Sequence, residues 1–179
     1  MKRGLIQVYT GEGKGKTTAA LGLAMRAIGH GLNVCIVQFM KPSDFVTGEL
    51  LSAERLSPQL KILHCGDSTV WGKGKPKSCL TQDMEKATKE TLALANFAAK
   101  KGHYDIMVLD EINVALEQRL LDLQEVLAFI NDKPDNLELV FTGRGAPIEI
   151  IEIADLVTEM IQLKHPFEKG IKARKGIEY

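Results

Sequence analysis

One stretch constrains this chain more than any other: Gly11-Glu12-Gly13-Lys14-Gly15-Lys16-Thr17-Thr18. The apolar residues Leu5, Ile6, Val8 and Tyr9 precede it. Ala20, Leu23, Ala24, Ala27 and Ile28 follow at the spacing of one helical face. A strand therefore delivers the chain to a glycine-rich turn, and the turn opens onto a helix N-terminus. Glycines let backbone N–H groups crowd around phosphate oxygens without a Cβ in the way. The helix start adds unpaired N–H donors and the positive end of its dipole. Lys16 can reach phosphate oxygens as a point charge, and the Thr17 hydroxyl can ligate Mg²⁺. The residues from Gly11 to Thr18 thus read as a binding site for a nucleoside triphosphate. The usual loop has a glycine separated by four residues from its Gly-Lys pair, and Thr10 stands there instead, where Gly11 and Gly13 could supply the turn.

A chain of 179 residues suits one domain over 1–179 with a sizeable core. Lysine plus arginine number 23, as do aspartate plus glutamate, and a balanced charge argues against a broad nucleic-acid surface. No apolar run is long enough to span a membrane, and Met1-Lys2-Arg3-Gly4 lacks the apolar region of a signal peptide. Cys35, Cys65 and Cys79 are widely spaced, without a paired motif, and fit reduced thiols in a cytoplasmic protein.

Apolar runs alternate with helical patterns along the whole chain. Strands are expected at 5–9, 34–39, 61–64, 106–109, 137–142 and 156–161. Helices are expected at 17–30, 47–56, from an N-cap at Thr81 to about Lys101, at 123–130 and at 147–154. This alternation predicts an α/β fold, a mainly parallel sheet covered on both faces. Two stretches rich in Gly and Lys, 66–80 and 164–179, interrupt the rhythm. Irregular segments of that length in a compact domain are commonly functional. Ligands of open parallel sheets bind beyond the carboxyl ends of the strands. The glycine loop, the segment after residue 64 and Asp110-Glu111 all follow strands, so they should gather at that edge.

Ile106-Met107-Val108-Leu109-Asp110-Glu111 is a buried strand ending in two acids. Beside a phosphate loop, such acids hold Mg²⁺ directly or through water. Thr17, Asp110 and Glu111 are therefore the candidate metal ligands. Lys16 and Glu111 are the candidate catalytic residues. Arg26 and Arg144 are further candidates for nucleotide contacts, Arg144 because Gly143 and Gly145 allow a close approach.

More specific words lie in order along the chain. They include Arg26-Ala27-Ile28-Gly29-His30-Gly31, Leu109-Asp110-Glu111-Ile112-Asn113 and Thr142-Gly143-Arg144-Gly145-Ala146-Pro147. Ala154-Asp155-Leu156-Val157-Thr158-Glu159-Met160, Lys164-His165-Pro166-Phe167, Gly170-Ile171-Lys172-Ala173 and Gly176-Ile177-Glu178-Tyr179 complete them. With the glycine loop, these resemble the phosphate-loop ATP:corrinoid adenosyltransferases over almost the whole chain. The resemblance implies a RecA-like three-layer fold of the phosphate-loop NTPase class. It implies that cobalt(I) of a reduced corrinoid attacks the 5′ carbon of ATP and that triphosphate leaves. It also implies an ATP reversed in the loop so that this carbon is exposed. Mg²⁺ would be the cofactor, a flavoprotein or other reductase the electron source, and a homodimer the assembly. Nucleic acid and membrane would have no part.

By the same resemblance, Trp71 belongs to the corrinoid side, where a large ring would displace the lower ligand of cobalt(II). Many members carry an aromatic residue two places earlier. Thr69 stands there in this chain, and Phe167 is a candidate to compensate. Three other readings stay open on the residues alone: a kinase or ATPase releasing ADP, a non-catalytic nucleotide-gated corrinoid carrier, and a RecA-like nucleic-acid ATPase.

Overall fold

The computed structural model describes residues 3–41, 46–64 and 77–179, the last with side chains from 82 onward. Six parallel strands form one sheet: β1 (Ile6–Thr10), β2 (Val34–Gln38), β3 (Leu60–His64), β4 (Ile106–Asp110), β5 (Glu138–Thr142) and β6 (Leu156–Glu159). Their spatial order is β3-β2-β4-β5-β1-β6. The helices are α1 (Lys16–Gly29), α2 (Gly48–Arg55), α3 (Lys77–Lys101), α4 (Ile112–Glu117), α5 (Leu123–Asn131) and α6 (Ile148–Ile153). A short 3-10 helix follows at Pro166–Lys169.

The layers follow from the two-residue period of the strands. Val34, Ile36, Ile106, Val108 and Val140 face Ala20, Ala24 and Ala27 of α1 and Ala53 of α2. Their neighbours Cys35, Val37, Met107, Leu109, Leu139 and Phe141 face the other way. There they meet Leu92 and Ala95 of α3, Ile112 of α4, Val126 and Phe129 of α5 and Ile150 of α6. Small alanines on α1 let it sit close against the sheet, so the loop that feeds it is held from behind. This is the doubly covered parallel sheet that the strand–helix alternation predicts.

Three expectations need correction. Helix α3 begins at Lys77, so Thr81 lies inside it rather than capping it. Helix α4 has no counterpart in the sequence reading, because six residues directly after a strand carry too little periodicity to announce a helix. Strand β6 ends at Glu159 and is exposed along its length. As the sheet's outer strand beyond β1 it is covered on neither face, unlike β2, β4 and β5, which are buried throughout. Trp71, Thr69 and Cys65 lie outside the described residues, as does the side chain of Cys79.

Candidate nucleotide-binding site

Strand β1 ends at Thr10, and the loop turns back over the exit of β6. Gly13 N–H donates to the Met160 carbonyl at 2.6 Å. A Cβ on Gly11 would come within 2.5 Å of that same carbonyl oxygen, and Gly11 also has a φ of +90°. A side chain there would be both strained and blocked. Thr10, in the place of the usual first glycine, has its own task. Its hydroxyl accepts from Ala146 N–H at 3.3 Å, tying the loop after β5 to the end of β1.

Lys16 opens α1 and is buried. Its ammonium donates to the carbonyls of Gly11 at 2.6 Å and Gly13 at 2.7 Å. The side chain thus folds back over the cradle it would share with phosphate oxygens. Burial lowers its pKa, with Arg144 adding to the effect and Glu111 and Glu12 opposing it.

The acidic strand lies one strand away from β1, with β5 between. That spacing still brings Asp110 to the helix start. Thr17 Oγ1 donates to Asp110 Oδ1 at 2.8 Å, and Thr142 Oγ1 donates to the same oxygen at 2.7 Å. The other oxygen accepts from Lys41 Nζ at 2.8 Å, and Lys41 also lies 3.4 Å from Glu49. Asp110 is fully buried, so these partners offset the cost of its desolvation. Burial opposes the charge on Lys41, but Asp110 and Glu49 outweigh it and hold the pKa of the ammonium above its ordinary value.

Glu111 takes the left-handed conformation, φ 65° and ψ 17°, at the turn into α4. Its N–H donates to Thr142 Oγ1 at 3.0 Å. The side chain lines the cleft shared with Thr17 and Thr18. Burial pushes its carboxyl above the usual glutamate range, as does the Asp110 charge; Lys41, Lys16 and Arg144 pull the other way.

Arg144 also reaches the loop. Gly143 at φ +126° and Gly145 at φ +62° carry it across the mouth, where its Nη1 meets Glu12 Oε2 at 2.9 Å. Lys14, on the next part of the rim, points to Glu178 Oε1 at 3.2 Å and to the Ile177 carbonyl at 3.2 Å. Arg26 is not brought to the cleft. It occupies the last turn of α1, about 15 Å along the helix from Lys16.

Sequence reasoning gave no site role to Lys41, Glu49, Thr142, His165 or Ile177–Tyr179, all placed at or beside the cleft, though it marked 164–179 as a segment of a kind commonly functional. The signal for Lys41 was available: it follows β2 at the same sheet edge as the acids. Nothing local announces the pairing of Glu178 with Lys14, 164 positions away.

The donor set suits a hard cation that shares its shell with phosphates. A hydroxyl and two carboxylates at the helix start are oxygen ligands of the kind Mg²⁺ takes. Among the described residues no cluster of three or more His, Cys, Asp or Glu converges that could hold a metal ion. Mg²⁺ bound through one or two protein oxygens and the phosphates fits that arrangement.

Comparison with known proteins gives the cleft its family. The pattern of the ATP:corrinoid adenosyltransferase BtuR/CobO/CobP family matches residues 2–179. The corrinoid adenosyltransferase of Pseudomonas aeruginosa is 39% identical over 181 residues, covering 99% of this chain and 85% of that one. Corrinoid adenosyltransferase CobA of Salmonella typhimurium is 36% identical over 181 residues, covering 99% of this chain and 87% of its own. Among solved structures, the KaiC-like protein PH0186 of Pyrococcus horikoshii superposes with a TM-score of 0.51 at 19% identity, over 91% of this chain and 75% of that one. That last likeness is one of fold. The first three, running nearly end to end, carry more: this chain belongs to the ATP:corrinoid adenosyltransferase family.

Proposed function

We propose that this protein transfers the 5′-deoxyadenosyl group of ATP to the cobalt(I) of a reduced corrinoid, making adenosylcobalamin or its precursor. The cobalt–carbon bond forms as the bond from the 5′ carbon to the triphosphate oxygen breaks, and triphosphate leaves with the electron pair. Cobalt(I) is a strong nucleophile and carries no proton, so the protein needs no general base. It must hold the carbon in line and stabilise charge on the departing triphosphate.

The observation that carries this reading is the loop Gly11–Thr18, joined by Thr17 to a buried Asp110, in a chain of this family. Lys16 and the loop N–H groups would bind the triphosphate as its charge grows. Lys14, Thr18 and Arg144 would add contacts around Glu12, Gly13 and Gly15. Mg²⁺ would be held by Thr17 with Asp110 or Glu111, and when bound it supplies further neutralisation of the triphosphate. Since both Asp110 oxygens already have protein partners, Glu111 is the better direct ligand and Asp110 the better orienter of Thr17. Trp71, with Thr69 near it in sequence, is assigned to the corrinoid side.

A second copy of this chain is the proposed partner. Strand β6 is an open edge, and Leu156, Val157, Ile161, Leu163 and Phe167 are exposed on it or just beyond. An unpaired strand edge with apolar neighbours is a surface that proteins normally cover. The cytoplasm, where a reductase could supply electrons and thiols stay reduced, is the proposed location. Among the described residues, no helix is long and apolar enough to cross a membrane.

The decisive experiment is anaerobic. Mg·ATP and chemically reduced cobalamin are mixed with the protein, and the light-sensitive spectrum of the cobalt–carbon product is followed beside the released phosphate. Product with triphosphate is the expected result. Release of ADP would move the protein to phosphoryl transfer, and corrinoid binding without turnover would make it a carrier.

A further inference from the structure

Among the described residues, three cations at the rim and floor of the phosphate-loop cleft already have anionic partners, whereas Lys16 bonds only to the carbonyls of Gly11 and Gly13. Arg144 is paired with Glu12 at 2.9 Å, Lys41 with Asp110 at 2.8 Å and Lys14 with Glu178 at 3.2 Å. Glu12 belongs to the loop itself and Asp110 to the buried sheet. Glu178 belongs to neither.

The segment around Glu178 is built to present a carboxylate. Glu178 Oε2 accepts from Arg174 N–H at 2.8 Å and from Arg174 Nε at 3.3 Å, and Oε1 accepts from Arg174 Nη2 at 3.1 Å. Gly176, at φ +77°, donates its N–H to the Tyr179 carbonyl at 2.7 Å and tightens the turn. The Ile177 carbonyl takes a second bond from Lys14 at 3.2 Å. Arg174 holds the Glu178 carboxyl down to about 2, so the group is an anion throughout the neutral range. Residues 166–179 are exposed, with no share in either core cluster.

A triphosphate brings several negative charges to the same ammonium. One lysine beside two anions forces a choice, because the anions repel each other and the cation gains most from the denser charge. We propose that Glu178 is an internal competitor of the triphosphate. It holds Lys14 while the loop is unliganded, yields it when nucleotide binds, and takes it back as triphosphate leaves. Only an ion pair is exchanged: Lys14–Glu178 opens as Lys14–phosphate forms, and Glu178 remains on Arg174. The device weakens nucleotide binding slightly and speeds departure of a highly charged product. This rests on the reading of Gly11–Thr18 as the triphosphate site.

Calorimetric titration with inorganic tripolyphosphate and Mg²⁺ tests the exchange without corrinoid or turnover. Glu178→Gln keeps the shape and one of the two acceptor oxygens and removes the charge. The variant is expected to bind tripolyphosphate about two- to fivefold more tightly, the worth of a partly exposed ion pair. In the unaltered protein, tripolyphosphate should also speed tryptic cleavage after Arg174 and Lys175, because the segment loses its hold on the loop. Equal or weaker binding by the variant overturns the competition and makes the segment a wall that closes on the ligand. Failure of both proteins to bind tripolyphosphate overturns the triphosphate reading itself, and the competition falls with it.

Discussion

Two regions meet at the mouth of the cleft and are held by different physics. Thr17 joins the buried Asp110 and Thr142 in one network at the edge of a packed sheet, and removing one member would leave a desolvated group short of a hydrogen bond. Glu178 and Arg174 lie on the surface, where an ion pair is worth little to stability. The first region is suited to a geometry that must not change during the reaction. The second is suited to contacts that exchange, since a partner held weakly can be given up when a stronger ligand arrives.

The sharpest way to break this comparison is at Lys16. Lys16→Ala should remove adenosyl transfer, with a loss of at least about 100-fold, the scale of a lost donor to developing oxyanion charge. The anaerobic cobalt–carbon assay reads it, and retained turnover would strip Lys16 of its role. Folding should be nearly unchanged, because Lys16 bonds only to loop carbonyls.

Asp110→Asn should do the opposite and strike the scaffold. It leaves Lys41 without its closest carboxylate in a mostly buried place. The cost should be about 2 kcal/mol, below that of breaking a fully buried pair because Lys41 keeps some solvent and Glu49. Urea denaturation of the nucleotide-free protein measures it. A midpoint shift no larger than that of an exposed-pair variant would erase the distinction between the two regions.

What the sequence disclosed follows the same line. Strands β2, β4 and β5 were legible because their burial on both sides demands unbroken apolar runs. The phosphate loop was legible because glycine, lysine and threonine are required at fixed spacing by one chemistry. The link from Thr17 to Asp110 was inferable from that chemistry, though not its third member, Thr142, which reads as an ordinary strand residue. Lys41 stood in view after β2, but a lone lysine after a strand is usually solvated, and only the fold turns it onto Asp110. The long-range pairing of Glu178 with Lys14 was illegible. An exposed pair between distant segments needs no pattern in either, and helix α4 was hidden by its brevity.

Glu111 stands between the two regions, and its titration sharpens the comparison. Burial raises its carboxyl, with Asp110 adding to the shift, so the folded protein holds that proton to higher pH than the unfolded chain does. Its contribution to stability is therefore complete below the ordinary glutamate value and is lost as pH rises through the raised one. Metal binding has the opposite demand, since only the ionised carboxylate is a ligand. Mg·ATP affinity should thus begin to fall on acidification above the pH at which an ordinary glutamate protonates. Glu111→Gln should lower Mg²⁺ affinity by about tenfold and flatten that acid limb. Calorimetric titrations across pH check both, and an unchanged limb would transfer the ligand role to Asp110.

The smallest effect on folding should come from Arg144→Ala, and it discriminates well for that reason. Arg144 and Glu12 are both more than half exposed by side chain, at 55% and 69%. Solvent and salt screen such a pair, so the urea midpoint should not move measurably. Arg144 nevertheless lies on the cleft beside Lys16 and Thr17, carried there by two glycines in the left-handed region. A side chain placed at that structural expense, yet contributing little to stability, belongs with the exchanging rim. Tripolyphosphate affinity should therefore fall severalfold while stability holds. Loss of stability without loss of affinity would put Arg144 with the scaffold, and the division between rim and floor would have to be redrawn at Gly143.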